Sequence, residues 1–151
     1  SRLFEEVREQ RGLAYDIHSG VAFYSDCGAF IVESGIDPAR IDEAIPVILG
    51  ELGKMRDGVT EAEWAQAREL TKGRMMLRME ESRAVTSFLG IQELLRDKVE
   101  SVDAVIEKIE AVTLDDIKRV ANRIISAENL VLAVVGPFDD ASRFEKLLKF
   151  E

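Results

Sequence analysis

The sequence predicts an α+β fold in which a mostly antiparallel sheet carries helices layered on one face. Two runs near the N-terminus alternate apolar and polar residues with a period of two, as the strands of a half-buried sheet do. The middle of the chain repeats apolar residues with the helical period of about 3.6. A nearly all-apolar run near the C-terminus is typical of a buried strand. Because the chain has 151 residues, we expect residues 1–151 to form a single domain.

The N-terminal segment predicts a helix over residues 1–11, because its apolar residues fall on one helical face. Gly12 is expected to end this helix. From Leu13 the period changes to two, which predicts a long strand with one buried face. The residues expected on that face are Leu13, Tyr15, Ile17, Val21 and Phe23. Turn residues in YSDCG (24–28) and a second strand, AFIVES (29–34), complete a predicted hairpin.

The rest of the chain predicts helices and one final strand. Asp37 and Pro38 are the N-cap and the first residue expected of a helix. Thr60 and Glu63 form a capping box for the next helix. Further helices are predicted over about 82–97, about 102–110 and 114–125. The last predicted element is the strand NLVLAVVG, residues 129–136.

Charge and composition argue against several classes of function. A formal net charge of −9 and a pI near 4.8 disfavour a nucleic-acid partner or an anionic membrane surface, because both need a basic patch. No apolar run approaches the roughly 20 residues of a membrane-spanning helix. One His and one Cys are too few for a zinc site built from the usual nitrogen and sulfur ligands. We therefore expect no metal bound by this chain, no nucleic acid and no membrane.

Several stretches resemble one known family, in the same order along the chain. The first, SRLFEEVREQRGLAY, closely resembles the signature of the C-terminal half of zinc metallopeptidases of the pitrilysin, insulin-degrading and mitochondrial-processing-peptidase type, above all their bacterial branch. The stretches that follow are YSDCGAFIV, DPARIDEAI, GVTEAEWAQARELTKGRMML, ESRAVTSFLGIQELL, IEAVTLDDIKRVANRII and NLVLAVVGPF. The likeness covers essentially the whole chain.

The resemblance implies a clamshell of two similar α+β halves. In active members the N-terminal half holds zinc through the two His of an H-x-x-E-H motif and a distant Glu, and the Glu inside the motif is the general base. This sequence has no H-x-x-E-H. We therefore expect zinc in the intact enzyme to be bound by an absent N-terminal half, in cis or on a partner subunit, and this chain alone to be inactive. The start at Ser1 is expected to leave the C-terminal half incomplete at its N-terminus.

The resemblance also implies two assisting site residues, Arg8 and Tyr15. In the family, the matching pair leans across the cleft toward the metal: the guanidinium holds substrate carbonyl oxygens, and the phenol donates a hydrogen bond to the oxyanion. From the residues alone, each has a structural alternative. Arg8 would be a surface arginine paired with Glu5 or Glu9. Tyr15 would be a core aromatic on the apolar face of its strand.

Other residues that can carry chemistry have simpler interpretations. His18 falls on the polar side of the first strand and is expected at the surface. Cys27 lies in a turn with no base near it in sequence, which indicates an incidental thiol. Trp64 and the methionine cluster at 75–79 are expected to pack helices together.

Two hypotheses for function follow. In the first, the chain is the later part of the C-terminal half of a zinc endopeptidase, and its partners are a peptide or unfolded-protein substrate and the zinc-binding half. In the second, it is a non-catalytic processing-peptidase-like subunit that acts as a structural or peptide-binding module. Absent N-terminal strands are expected to leave an unpaired sheet edge, which favours a homodimer or another edge-paired assembly. The composition suits the cytoplasm, with the periplasm or an organelle as alternatives.

Overall fold

The computed structural model describes residues 1–96 and 98–150, which divide into two compact units. Among the described residues, the first unit is built from residues 1–58 and 118–150, and the second from residues 59–96 and 98–117. The assignment of the chain to a single domain stays a prediction. Asp97, the last residue of the helix predicted over about 82–97, lies outside the described residues.

The predicted α+β fold class is confirmed, because an antiparallel pair of strands is combined with several helices. The strands are β1 (Ala14–Phe23) and β2 (Gly28–Ile36). A π-wound helix (Phe4–Gln10) precedes them, and a 3-10 turn (Pro38–Arg40) follows. The α-helices are α1 (Ile41–Lys54), α2 (Glu61–Arg78), α3 (Ser82–Leu95), α4 (Val102–Ala111), α5 (Leu114–Ile124) and α6 (Ser142–Glu145). Within the described residues, no helix is long and apolar enough to cross a membrane.

The predicted hairpin is confirmed, with β1 and β2 paired antiparallel and Phe23 opposite Gly28 at the tip. The N-terminal helix and α1 pack on one face of the hairpin, as predicted. The core that they form contains Leu3, Val7, Leu13, Ala14, Ile17 and Ala44. This core is confined to the base of the hairpin. Val21 and Phe23, predicted on the buried face, are therefore exposed.

The strand predicted over residues 129–136 is wrong. This apolar run pairs with no strand in the described chain. Leu130 and Val134 instead pack against a second core cluster, while Val131 and Val135 are exposed. An apolar run becomes a strand only where a neighbouring strand offers its backbone groups. In the described residues, β1 and β2 pair only with each other.

The second core cluster joins α1 to the C-terminal segment of the first unit. Its buried residues are Ile41, Ile45, Leu49 and Phe144. Beside it, Arg143 forms a two-pronged ion pair with Asp42, in which Nε donates to Oδ1 and Nη2 donates to Oδ2, both at 2.8 Å. These hydrogen bonds lower the pKa of the Asp42 carboxyl and raise the pKa of the Arg143 guanidinium. The pair therefore ties α6 to the first turn of α1.

The second unit is a group of helices joined by polar contacts. The capping box predicted for α2 is confirmed: the Glu63 N–H donates to the Thr60 hydroxyl oxygen at 3.2 Å, and the Thr60 N–H donates to the Glu63 carboxylate at 2.9 Å. Further along α2, Lys72 contacts Glu69 at 3.0 Å and Glu110 of α4 at 2.8 Å. Hydrogen bonds to Glu110 and to Glu69 raise the pKa of Lys72, and the pair with Glu110 connects α2 to α4.

We expect acid to destabilise the first unit partly through the pair of Asp42 and Arg143. The folded-state pKa of Asp42 lies below the ordinary value of 3.8. The pair therefore contributes stability above that pH and loses it as the pH falls through the lower, folded-state pKa. Asp42→Asn should lower the urea midpoint clearly at pH 7 and much less at about pH 2.

Urea unfolding of the wild type and the variant at both pH values checks this. The control is Asp139→Asn, which removes a nearby carboxylate outside the ion pair. Equal losses of stability for Asp42→Asn at the two pH values would contradict the assignment.

Candidate functional site

A sharp corner joins the N-terminal helix to β1 and carries both predicted site residues. Gly12 has a φ of +58°, a left-handed conformation that favours glycine, and it ends the helix as predicted. Two backbone hydrogen bonds close the corner. The Gly12 N–H donates to the Arg8 carbonyl oxygen at 3.1 Å, and the Leu13 N–H donates to the Val7 carbonyl oxygen at 2.8 Å. Val7 and Leu13 are buried, so the first core fixes the corner from the inside.

Arg8 lies in the last turn of the N-terminal helix, with 40% of its side chain exposed. Its guanidinium carbon is 4.8 Å from the centroid of the Phe4 ring, which is a cation–π contact. Its Nε is 3.6 Å from the Glu9 carboxylate, so the surface pairing with Glu9 is present but long and solvent-exposed. Neither contact buries the guanidinium. Its N–H groups are therefore accessible to a ligand.

Tyr15 is 89% exposed, which corrects its predicted place on the buried face of β1. Ala14 lies opposite Ile36, and Asp16 lies opposite Gly35. Tyr15 is therefore an extra residue in β1, a β-bulge. The bulge keeps Ala14 in the core and turns Tyr15 outward. The alternative of a core aromatic is wrong for this chain, and the phenol is accessible to another molecule.

The structure adds a residue at the corner that the sequence analysis does not find, Arg40. It ends the 3-10 turn after β2. Its Nη1 donates to the carbonyl oxygens of Gly12 at 3.0 Å and Arg11 at 3.3 Å, and its Nη2 donates to Glu43 at 2.9 Å. Carbonyls at the end of a helix have no helical N–H to accept from, and Arg40 satisfies two of them. The sequence feature that could have identified Arg40 is its position. A cation shortly after β2 lies near the start of β1 once the two strands pair.

His18 lies on the exposed side of the hairpin, as predicted. Its Nε2 is 2.8 Å from Glu33, and its Nδ1 is 3.3 Å from Asp16. The two carboxylates therefore approach different nitrogens of the ring, and the three side chains do not converge on one point. The part of the chain that the structure describes contains no group of three or more side chains able to hold a metal ion.

The remaining candidates keep structural interpretations. Cys27 is exposed in the hairpin turn. The Trp64 ring lies 5.6 Å from the guanidinium carbon of Arg68, one turn along α2. Of the methionine cluster, Met76 is exposed, which corrects the expectation that all of it packs helices together.

Comparison with known proteins gives one family match and several relatives. The family described as Peptidase M16 inactive domain matches residues 1–71, which include the corner and the hairpin. An uncharacterized zinc protease of Streptomyces coelicolor is 35% identical over 141 residues, which cover 93% of this chain and 30% of that protein. An uncharacterized zinc protease of Bacillus subtilis is 33% identical over 138 residues, which cover 91% of this chain and 34% of that protein. The chain thus spans about a third of the length of these curated relatives.

Two solved structures are similar over most of the chain. One is a chain of complex III2 from Candida albicans, Inz-5 bound, with a TM-score of 0.73 and 25% identity, covering 81% of this chain and 29% of that one. The other is a conserved protein from Enterococcus faecalis, with a TM-score of 0.68 and 29% identity, covering 82% of this chain and 29% of that one. The similarity in fold therefore extends well beyond residues 1–71.

We expect Gly12→Ala to destabilise the chain by about 1–2 kcal/mol, because a left-handed backbone is strained for any residue with a Cβ. The added Cβ meets no atom within 4 Å, so the cost comes from the backbone alone. Gly20→Ala is the matched control, since its Cβ also meets nothing and its φ is not positive. Urea unfolding should separate the two variants. Equal stability of Gly12→Ala and Gly20→Ala would contradict the assigned role of the corner.

Proposed function

This chain belongs to the M16 peptidase family, in which it matches the C-terminal, inactive domain, and we propose that it supplies two assisting side chains to a zinc endopeptidase. The observation that carries this proposal is the placement of Arg8 and Tyr15. They lie on the two arms of one closed corner, and both keep their polar groups outside the core. Buried residues hold the backbone of the corner in place, so the backbone positions of Arg8 and Tyr15 are fixed.

Each side chain suits a different part of peptide hydrolysis. Attack on a peptide carbonyl turns its oxygen into an oxyanion, and a phenol that is already outside the core can donate a hydrogen bond to that oxygen. A guanidinium presents several N–H donors in a fixed fork, which suits the carbonyl oxygens of an extended peptide backbone. We assign stabilisation of the oxyanion to Tyr15 and binding of the substrate backbone to Arg8.

The described residues of this chain do not fit a zinc site. His18 is the single histidine of the sequence, and the two carboxylates beside it contact opposite sides of its ring. In the proposal, zinc is therefore bound by an N-terminal half, in cis or on a partner subunit. The chain alone is expected to have no peptidase activity.

A second candidate is a non-catalytic subunit that acts as a structural or peptide-binding module. The matching family is described as an inactive domain, and one similar structure is a chain of a complex III2 assembly. A purely structural subunit has no need of an exposed arginine and tyrosine held at one corner. For this reason we prefer the assisting role in an enzyme.

The proposed substrate is a peptide or an unfolded protein, because the donors of Arg8 and Tyr15 address backbone groups that any extended chain offers. The net charge of −9 would steer basic peptides toward this half. The cytoplasm is the proposed compartment, and the periplasm or an organelle is the alternative.

We expect Tyr15→Phe and Arg8→Ala to impair the intact peptidase in different ways. Loss of one oxyanion donor should lower kcat about 100-fold for Tyr15→Phe. Loss of a charged donor to the substrate backbone should raise KM about tenfold for Arg8→Ala. Steady-state cleavage of an unstructured peptide, with zinc present, checks both values.

Two matched control variants remove the same kinds of side chain, a phenol and an arginine, at positions outside the proposed site. Tyr24→Phe removes an exposed phenol at the tip of the hairpin. Arg11→Ala removes the neighbouring helix arginine, which pairs with Glu6 at 2.7 Å. Both should cleave at close to the wild-type rate. Wild-type kinetics for Tyr15→Phe and Arg8→Ala would instead favour the non-catalytic subunit, and chelator-sensitive cleavage by the chain alone would overturn the placement of zinc.

We also expect the isolated chain to form a homodimer or another edge-paired assembly. In the described residues β1 and β2 pair only with each other, so each strand leaves one edge without a strand partner. Ile31→Lys, on β2, should shift the chain toward a monomer, whereas Leu95→Lys, on α3, should not. Sedimentation velocity over a range of concentrations measures this. A wild-type chain that stays monomeric at every concentration would contradict the prediction.

A further inference from the structure

The side chain of Arg40 contacts the corner that carries Arg8 and Tyr15 from outside the helix and β1. Arg40 donates from Nη1 to the carbonyl oxygens of Gly12 and Arg11, which lie between the N-terminal helix and β1. These contacts join residues 28 and 29 positions apart in the sequence.

The local sequence explains how Arg40 arrives there. Ile36, the last residue of β2, lies opposite Ala14, the first residue of β1. Just after Ile36, the Asp37 side chain accepts a hydrogen bond from the Ala39 N–H at 2.9 Å. This cap forms a tight turn, which places Arg40 beside the residues that precede β1.

The other end of the guanidinium is fixed as well. Nη2 of Arg40 donates to the Glu43 carboxylate, in the first turn of α1, at 2.9 Å. The carboxylate orients the planar guanidinium, so that Nη1 faces the corner. The C-terminal end of a helix also carries partial negative charge, which favours a cation at this place.

We propose that Arg40 is a positioning residue for the site, and that it sets the angle at which the helix carrying Arg8 meets the strand carrying Tyr15. This inference rests on the proposed peptidase function. Arg40 touches backbone carbonyls of the corner and is assigned no contact with substrate. Its contribution to turnover is indirect: it holds the two assisting side chains in one arrangement.

The first experiment uses the chain itself and needs no enzymatic activity. Amide hydrogen exchange by NMR is measured at Gly12 and Leu13 in the wild type, Arg40→Gln and Arg40→Lys. We expect Arg40→Gln to speed exchange at these amides about tenfold relative to the amides of α1, because the corner opens locally. Arg40→Lys, which keeps a charged donor, should restore most of the protection.

Arg143→Gln is the matched control, because it removes a different arginine contact to the first turn of α1. It should change exchange at the corner no more than exchange elsewhere in the first unit. If Arg40→Gln leaves the corner amides as protected as the wild type does, or if Arg143→Gln loosens them equally, the positioning role of Arg40 is overturned.

The second experiment measures peptide cleavage by the intact peptidase. We expect Arg40→Gln to lower kcat about tenfold with a smaller change in KM, because a small displacement of assisting groups weakens transition-state contacts most. Arg40→Lys should recover most of kcat. A role in stability alone would instead reduce activity in proportion to the folded fraction, without rescue by lysine at equal stability, and that result would overturn the proposal.

The two experiments separate failure of this inference from failure of the proposed function. If Arg8→Ala and Tyr15→Phe have no effect on cleavage, the peptidase role fails, and with it the effect of Arg40 on turnover. If those variants impair cleavage while Arg40→Gln changes neither exchange at the corner nor kcat, the peptidase role stands and the inference about Arg40 is wrong.

Discussion

The backbone closure at Gly12 is the constraint on which the candidate site depends. A helix and a strand can meet at so sharp an angle only because one residue adopts a left-handed conformation and two N–H groups return to the preceding turn. The bond from Leu13 to Val7 is one residue longer than the closure usual after an α-helix, which matches the π-winding of the helix. Both residues are buried, so the corner and the core form together.

The β-bulge at Tyr15 resolves a conflict between burial and chemistry. A regular strand that buried Leu13 and Ile17 would also bury Tyr15, because alternate residues face the same side. The extra residue breaks this alternation at the point where β1 begins. The core keeps its apolar contacts, and the phenol is outside. The proposed function needs both, since a buried phenol could not reach a substrate.

Features fixed by contacts within a few residues could be predicted from the sequence. The tip of the hairpin, the end of the helix at Gly12, the cap at Asp37 and the capping box at Thr60 all depend on such local contacts. The errors involve distant partners. The bulge at Tyr15 depends on the register with β2, and the apolar run 129–136 forms no strand because no strand lies beside it in the described chain. Only the family resemblance implies a site role for Arg8 and Tyr15, because their spacing alone equally fits surface and core residues.

The role of Arg40 could not be predicted from local sequence patterns, because its contacts are to residues 28 and 29 positions away. Arg40 also links the corner to the rest of the first unit. Arg40 contacts the corner, while Asp42, two residues later, holds Arg143 near the C-terminus. The same short turn at the start of α1 must therefore be formed for both contacts to exist. Each contact is exposed and modest by itself. Because the two contacts share one turn, loss of that turn would release the corner and the C-terminal segment together. The geometry of the site therefore depends on the folding of parts of the chain that lie far from it in sequence.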